Sequence, residues 1–341
     1  MDLLLGVLIF SFIIHSLVIV PYINFLYKLK FYKSSTAVSK EKKDEASVHI
    51  RSKARTPEGG GILILVITSL IFAFSLPALR FLGFEITHVY PINDEINIIF
   101  FTFISFGLLG FYDDIIKFFE LDRQRGYTGL KTGYKFMMQI TLGLIIGAMM
   151  YINLGIDIIH IPFFGVIHFG FWFVPLAALL VVTFTNAVNI TDGMDGLAAG
   201  LLMISLFGFL LLSISILDTP LSIFIALWLG GIIAFLYFNV FPARLFLGDA
   251  GAMAFGAAFA TVGLLTGKVI ALIIIGLPFL VDGLSSLIQI LGVKLLHRRL
   301  LPIAPLHYYL LKIGWTEPKI VQRAWLVGIM LVIFGIWLAI I

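Results

Sequence analysis

The sequence predicts an all-α polytopic membrane protein with about ten transmembrane helices, both termini extracytoplasmic and its polar residues gathered on the cytoplasmic face. Three observations predict it. The 341 residues are 60% hydrophobic and 12% charged at a mean hydropathy of +1.08, whereas a soluble domain is roughly a quarter charged. Apolar windows of about 20 residues, enough to cross the hydrocarbon core, recur along the chain. Lysine and arginine fall almost entirely in alternate loops.

In order, the windows are 3–27, 60–79, 96–112, 133–152, 171–187, 198–217, 221–238, 252–267, 269–291 and 323–341. The first has one charged residue before it, Asp2, and no small-residue cleavage site, so it reads as a retained helix rather than a signal peptide. The windows 96–112, 171–187 and 252–267 lie near the lower length limit. The absence of cysteine excludes disulfides, thiolate catalysis and cysteine-held metals. One integral membrane domain, 1–341, is expected, without internal repeats.

Loops 28–59, 113–135, 239–251 and 292–323 carry 21 of the 23 Lys and Arg residues, leaving Arg80 and Lys268 opposite. The opposite loops carry Glu85, Asp94, Glu95, Asp157 and Asp218. The basic loops are therefore expected in the cytoplasm, with 187–197 on the same side. The lysines of 28–59 anchor that orientation and add attraction for anionic lipid heads or an anionic substrate.

Four polar clusters fall on this one face. Asp113-Asp114 closes the third span with Lys117 one helical turn on, close enough to neutralise the pair and to meet a phosphate. Asn186, Asn189, Asp192 and Asp195 recur every three residues and line one face of a continuing helix. Their oxygen donors suit a hard octahedral cation such as Mg²⁺, completed by substrate phosphates. Asn239 through Asp249 follows the seventh span, and His307 lies in the loop after the ninth. Each cluster also has a plainer reading: a solvated helix end, a cap-and-turn cluster, N-capping by Asp249, or an aromatic belt with a bystander histidine. His15 and Asp282 interrupt apolar runs; His15 is expected at the interface or packed, and Asp282 facing protein or water.

At these residues the chain resembles the polyprenyl-phosphate N-acetylhexosamine-1-phosphate transferases. The matching pieces are Arg55-Thr56-Pro57-Glu58-Gly59-Gly60-Gly61, Asp113-Asp114 with Lys117, Gly129-Leu130 with Lys135, and Asn186 through Gly196. Asn239 with Pro242-Ala243, Phe246-Leu247-Gly248-Asp249 and Ala304-Pro305-Leu306-His307 complete them, and Gly314-Trp315-Thr316-Glu317 with Arg323-Ala324-Trp325 resembles the muramoyl branch. The likeness runs from about residue 50 to 330.

The resemblance implies transfer of a phospho-sugar from a uridine diphosphate sugar to undecaprenyl phosphate, with Mg²⁺ as cofactor and uridine monophosphate released. In the muramoyl branch the donor would be the UDP-linked muramoyl pentapeptide, and the product lipid I of peptidoglycan. It implies a bacterial inner-membrane protein in a lipid bilayer, a homodimer, and no nucleic-acid partner. By matching position, Asp249 would be the Mg²⁺ ligand, and Asp113 and Asp114 would lie at the polyprenyl phosphate. Lys117 and Lys135 would contact phosphates; Asn186, Asn189, Asp192 and Asp195 would line the nucleotide and metal site; Phe246 would stack on uracil. Asn239 and Lys53 would bind substrate, and His307 would be the essential histidine, with Asp113, Asp114 and Asp249 the other catalytic groups.

Three elements depart from the family pattern, at four positions. Tyr308 and Tyr309 follow His307 where histidines are usual, Ala252 replaces a Ser or Thr, and Glu58 replaces a Thr. They bear on sugar and peptide recognition more than on chemistry. A polyprenyl phosphate is mostly dianionic at neutral pH, so relief of phosphate–phosphate repulsion is the main catalytic need. Direct attack by the lipid phosphate is expected, with Asp113 removing a residual proton or orienting the nucleophile; a route through an aspartyl phospho-enzyme stays open. The rivals are the N-acetylglucosamine-1-phosphate branch and, from another class, a membrane transporter or lipid-binding protein.

Overall fold

In the computed structural model, which describes residues 2–31, 56–119 and 129–341, the described residues fold as helices and one hairpin. The helices are α1 (Asp2–Leu29), α2 (Gly60–Phe81), α3 (Ile92–Phe118), α4 (Thr132–Leu154), α5 (Phe173–Thr191), α6 (Leu197–Ser215), α7 (Thr219–Asn239), α8 (Gly248–Leu265), α9 (Val269–Ile275), α10 (Leu277–Leu296), α11 (Leu306–Lys312) and α12 (Glu317–Ile340). Among the described residues ten helices are long and apolar enough to cross a membrane: all of these except α9 and α11, with α5 extended back to Gly170 through a 3-10 turn.

The helix bounds correct several expected ones. The expected span 269–291 breaks at Gly276 into α9 and α10. A Cβ at Gly276 would overlap the Phe184 ring, and Pro278 near the start of α10 has no N–H to continue the earlier helix. Helix α3 runs six residues past the expected 112, so Asp113, Asp114 and Lys117 belong to its last two turns rather than to a loop. Helix α12 starts at Glu317, which makes Arg323 helical. His307, expected in a loop, lies in the first turn of the short α11.

An antiparallel hairpin, β1 (Ile158–Ile161) with β2 (Gly165–His168), was not foreseen. Four-residue strands are too short to show a period among apolar residues.

Helix α8 is the centre. It packs against α3, α5 and α2, and nearly every residue in it is buried. Its Gly and Ala content allows backbones to approach closely, as small residues do between membrane helices. Gly61 of α2 faces Gly251 of α8, and a Cβ on either would overlap the other's Cα. Gly256 meets the Phe184 and Thr185 backbone of α5 in the same way. Beside α8 an aromatic cluster of Phe103, Phe224, Trp228 and Phe255 fills the core, with Phe103 edge-on to Phe224 at 5.3 Å. The flank of α1 is largely exposed apolar surface, as a lipid-facing helix requires.

The far end of the bundle is tied by Thr219 N–H donating to the Thr87 carbonyl (3.0 Å) and by the Tyr90 hydroxyl donating to the Leu265 carbonyl (3.1 Å). Asp218 caps α7 there, accepting the Leu221 N–H at 3.3 Å. His15 is packed rather than interfacial: it is buried, with Nδ1 bonded to the Ser11 carbonyl at 2.8 Å.

Candidate active site

Successive residues on an α-helix point about 100° apart, so the adjacent Asp113 and Asp114 look in different directions. Asp113 lies one turn before Lys117 and pairs with it at 3.0 Å. Its Oδ2 also takes Lys135 of α4 at 3.0 Å, and its Oδ1 accepts the Leu130 N–H at 2.7 Å. Gly129, at φ +100°, allows that close approach, because a Cβ there would press on Asp113 Oδ1 and Lys117.

Asp114 turns instead to α8. It accepts the backbone N–H groups of Asp249 (3.1 Å) and Ala250 (3.0 Å), satisfying two of the free donors that open a helix. Asp249 itself makes no side-chain cap of α8, so the plainer reading of it as an N-cap does not hold: the capping carboxylate comes from another helix. Gly110, one turn earlier on α3, has no room for a Cβ against the Asp249 carbonyl.

With its backbone held, Asp249 projects Oδ2 between two ammonium groups. Lys117 donates to it in a short hydrogen bond, and Lys135 lies at 3.2 Å. The result is a compact Asp113–Lys117–Lys135–Asp249 cluster in which two lysines bridge two carboxylates. The start of α2 buttresses it. Gly59 and Gly60 N–H donate to the Phe246 carbonyl, and Phe246 N–H donates to the Pro57 carbonyl at 2.8 Å. Phe246 is half-buried, and Glu58 lies beside Gly248 and Asp114.

Helix α4 carries this cluster to a second wall. One turn beyond Lys135 is Gln139, buried in an otherwise apolar run, whose Oε1 accepts from Asn186 Nδ2 at 2.7 Å. Sequence reasoning missed Gln139, although a polar residue inside a spanning helix is itself a signal.

The expectation that Asn186, Asn189, Asp192 and Asp195 share one helical face is corrected. Asn186 and Asn189 lie on α5, which ends at Thr191 with Asp192 as its C-cap. Asp195 sits in the following turn and faces away: its Oδ2 accepts Ala243 N–H at 2.9 Å, and its own N–H donates to Glu317 at 2.6 Å. The chain reverses at Gly196, φ +77°, where only glycine is comfortable. Asn239 holds the same turn, accepting Gly196 N–H at 3.1 Å and donating to the Leu245 carbonyl at 2.9 Å.

His307 closes the third side. Its Nδ1 is 2.6 Å from Asp282 Oδ2, its backbone N–H donates to Asp282 Oδ1 at 3.2 Å, and its Nε2 is turned to Gly193. Asp282, expected to face protein or water, is therefore its partner. Lys53 lies outside the described residues.

The arrangement can bind anions at two lysines and offer oxygen ligands beside them. Among the described residues no group of three or more His, Asp or Glu side chains is arranged to hold a metal by itself. That fits Mg²⁺, which is commonly bound through one or two carboxylates with substrate phosphates and waters completing the shell. Asp249 could be such a carboxylate.

The glycosyl transferase family 4 model matches residues 96–267, half of the chain. The chain is also similar to curated proteins of the same kind from two genera. It is 36% identical to a phospho-N-acetylmuramoyl-pentapeptide-transferase of Staphylococcus aureus, over 84% of this chain and 86% of that one. It is 33% identical to the phospho-N-acetylmuramoyl-pentapeptide-transferase of Caldanaerobacter subterraneus, over 90% of this chain and 89% of the relative.

Proposed function

The chain belongs to glycosyl transferase family 4, as a multi-pass membrane enzyme, and from that premise we propose that it makes lipid I. In this reading it moves phospho-N-acetylmuramoyl-pentapeptide from its UDP-linked form to undecaprenyl phosphate and releases UMP. The observation that carries it is Asp249, held by its backbone from Asp114 and by its carboxylate from Lys117 and Lys135. Likeness to the muramoyl-pentapeptide transferases over most of both chains supports the choice of donor.

The chemistry follows from the charges. Nucleophile and electrophile are both anionic phosphates, so positive groups fixed beforehand lower the barrier most. Lys117 and Lys135, neutralised by carboxylates in the resting site, exchange those partners for phosphate oxygens when substrate enters. Mg²⁺ bound at Asp249 would supply further charge neutralisation on the diphosphate. The lipid phosphate attacks the β-phosphorus directly and the uridine monophosphate leaves. Asp113 accepts from two ammonium groups and a backbone N–H, which favours its use as the anchor that aims the lysines over its use as a base. Asn186, with Gln139 behind it, Asn189, Asp192 and the Phe246 ring line the side from which the nucleotide is bound. Asp195 and Asn239 serve the substrate indirectly, by shaping the turn.

The concentration of Lys and Arg in loops on the site's side favours a cytoplasmic site in the bacterial inner membrane, where the UDP-linked precursor is found, with both chain ends outside. We include a single domain and a homodimer in the reading. The test is Mg²⁺-dependent UMP release by purified protein from two donors. Turnover with the muramoyl pentapeptide nucleotide and none with UDP-N-acetylglucosamine is expected, and the reverse preference would move the chain to the N-acetylglucosamine branch. No UMP from either would remove the reading.

A further inference from the structure

Asp282 and His307 lie 25 residues apart, on α10 and α11, and both are buried. The carboxylate grips the histidine twice, Oδ1 taking the backbone N–H at 3.2 Å and Oδ2 facing Nδ1 at 2.6 Å. A carboxylate can only accept once ionised, so a hydrogen bond at Nδ1 puts the proton on that nitrogen. The other nitrogen, Nε2, is buried without a hydrogen-bond partner. A buried polar atom left unpaired is costly, which marks Nε2 as an acceptor for a group that the site binds.

The direction of Nε2 is fixed by its neighbours. It points at Gly193, where a Cβ would come within 2.5 Å of it. Tyr308 braces the ring, with ring centroids 4.4 Å apart, and its hydroxyl donates to the Gly193 carbonyl at 3.3 Å. Gly193 belongs to the turn that follows Asn186 and Asn189, the wall to which the nucleotide was assigned above.

We propose that Asp282 is a positioning residue: it holds the proton on Nδ1 of His307 and so keeps Nε2 as an acceptor, turned to accept a hydrogen bond from a hydroxyl of the bound nucleotide sugar at Gly193. The place of the nucleotide rests on the function proposed above; the tautomer does not. Asp282→Asn discriminates well because an asparagine has one carbonyl oxygen for two donors. The backbone N–H of His307 takes it, and the amide NH₂ then faces Nδ1, driving the ring proton to Nε2.

The experiment is ¹⁵N NMR of histidine-labelled protein in nanodiscs, with His307 assigned by its loss in His307→Gln, alongside UMP release. In the wild type a protonated Nδ1 is expected. In D282N that signature is lost and kcat falls about 10- to 100-fold at unchanged thermal stability, as when an outer partner of a functional histidine is removed. Asp282→Glu restores the signature and most of the rate. An unprotonated Nδ1 in the wild type overturns the proposal, and so does D282N with an unchanged spectrum and full turnover. The wild-type spectrum decides alone if D282N does not fold. Because it is read on resting protein, it also stands apart from the choice of donor substrate.

Discussion

The Asp114 carboxylate accepts the backbone N–H of Asp249 at 3.1 Å and so fixes the first turn of α8 from the last turns of α3. Two aspartates adjacent in sequence thus do different work. Asp113 arranges the lysines, while Asp114 arranges the backbone that carries Asp249.

Asp114→Asn should therefore cost stability as well as activity. One amide oxygen cannot serve both the Asp249 and Ala250 N–H groups, and a lost helix cap costs about 0.5–2 kcal/mol. Asp113→Asn keeps an acceptor for the Leu130 N–H and should lose activity with a smaller fall in melting temperature. Thermal unfolding in detergent, paired with UMP release, checks the contrast. Equal melting temperatures for wild type and D114N would remove the capping role.

At the far end, Asp218 gives a pH test independent of catalysis. Burial holds its carboxyl above the ordinary aspartate range, and the neighbouring Glu95 is also fully buried. A carboxyl whose pKa is higher in the folded state contributes stability below the unfolded value near 3.9, and that contribution is lost as pH rises through the raised value. Asp218→Asn keeps a capping oxygen for the Leu221 N–H and cannot ionise. It should flatten the fall of melting temperature with rising pH above about 4. A pH profile identical to wild type would contradict it.

Much of this was legible in the sequence because the bilayer makes polar residues conspicuous. Asp113, Lys117, Lys135 and Asp249 stand out against apolar runs, and the structure brings them within 3.2 Å of one another in successive pairs. What stayed hidden was direction. Spacing by threes suggested that Asp195 faces the same way as Asn186, but α5 stops at Thr191 and the turn through Gly196 swings Asp195 to Ala243. The break at Gly276 was hidden for a related reason: nothing in an apolar run shows that the Phe184 ring lies where a side chain would go. The Asp282–His307 pair joins positions 25 residues apart, which no local period relates.

Gly193→Ala isolates the face that His307 presents. Gly193 has no positive φ that demands glycine, so the cost of a Cβ falls on the ring of His307, 2.5 Å from it, and on the Tyr308 hydroxyl at 3.3 Å. The variant should fold with nearly normal stability, while UMP release drops at least about tenfold through loss of one oriented contact. Normal turnover in G193A would mean that Nε2 does not meet substrate on that side.

Asp249 is engaged by Lys117 and Lys135 in the resting site, and the described residues offer no cluster of three ligands. Mg²⁺ dehydrates reluctantly and is commonly bound through one or two carboxylates with substrate phosphates, so diphosphate oxygens are expected to complete its shell here. Calorimetry should therefore find little Mg²⁺ binding to the protein alone and clear binding once the UDP-linked donor is present. Lys117→Gln should strengthen Mg²⁺ binding to the free protein by removing a competing cation from Asp249, even as it slows turnover by about 10²–10³ through the loss of a charge at the reacting phosphates. Asp249→Asn should abolish the nucleotide-dependent component. Tight Mg²⁺ binding to the wild type without nucleotide would show that the metal is held by protein ligands other than these, and Asp249 would lose its place as the metal-binding carboxylate.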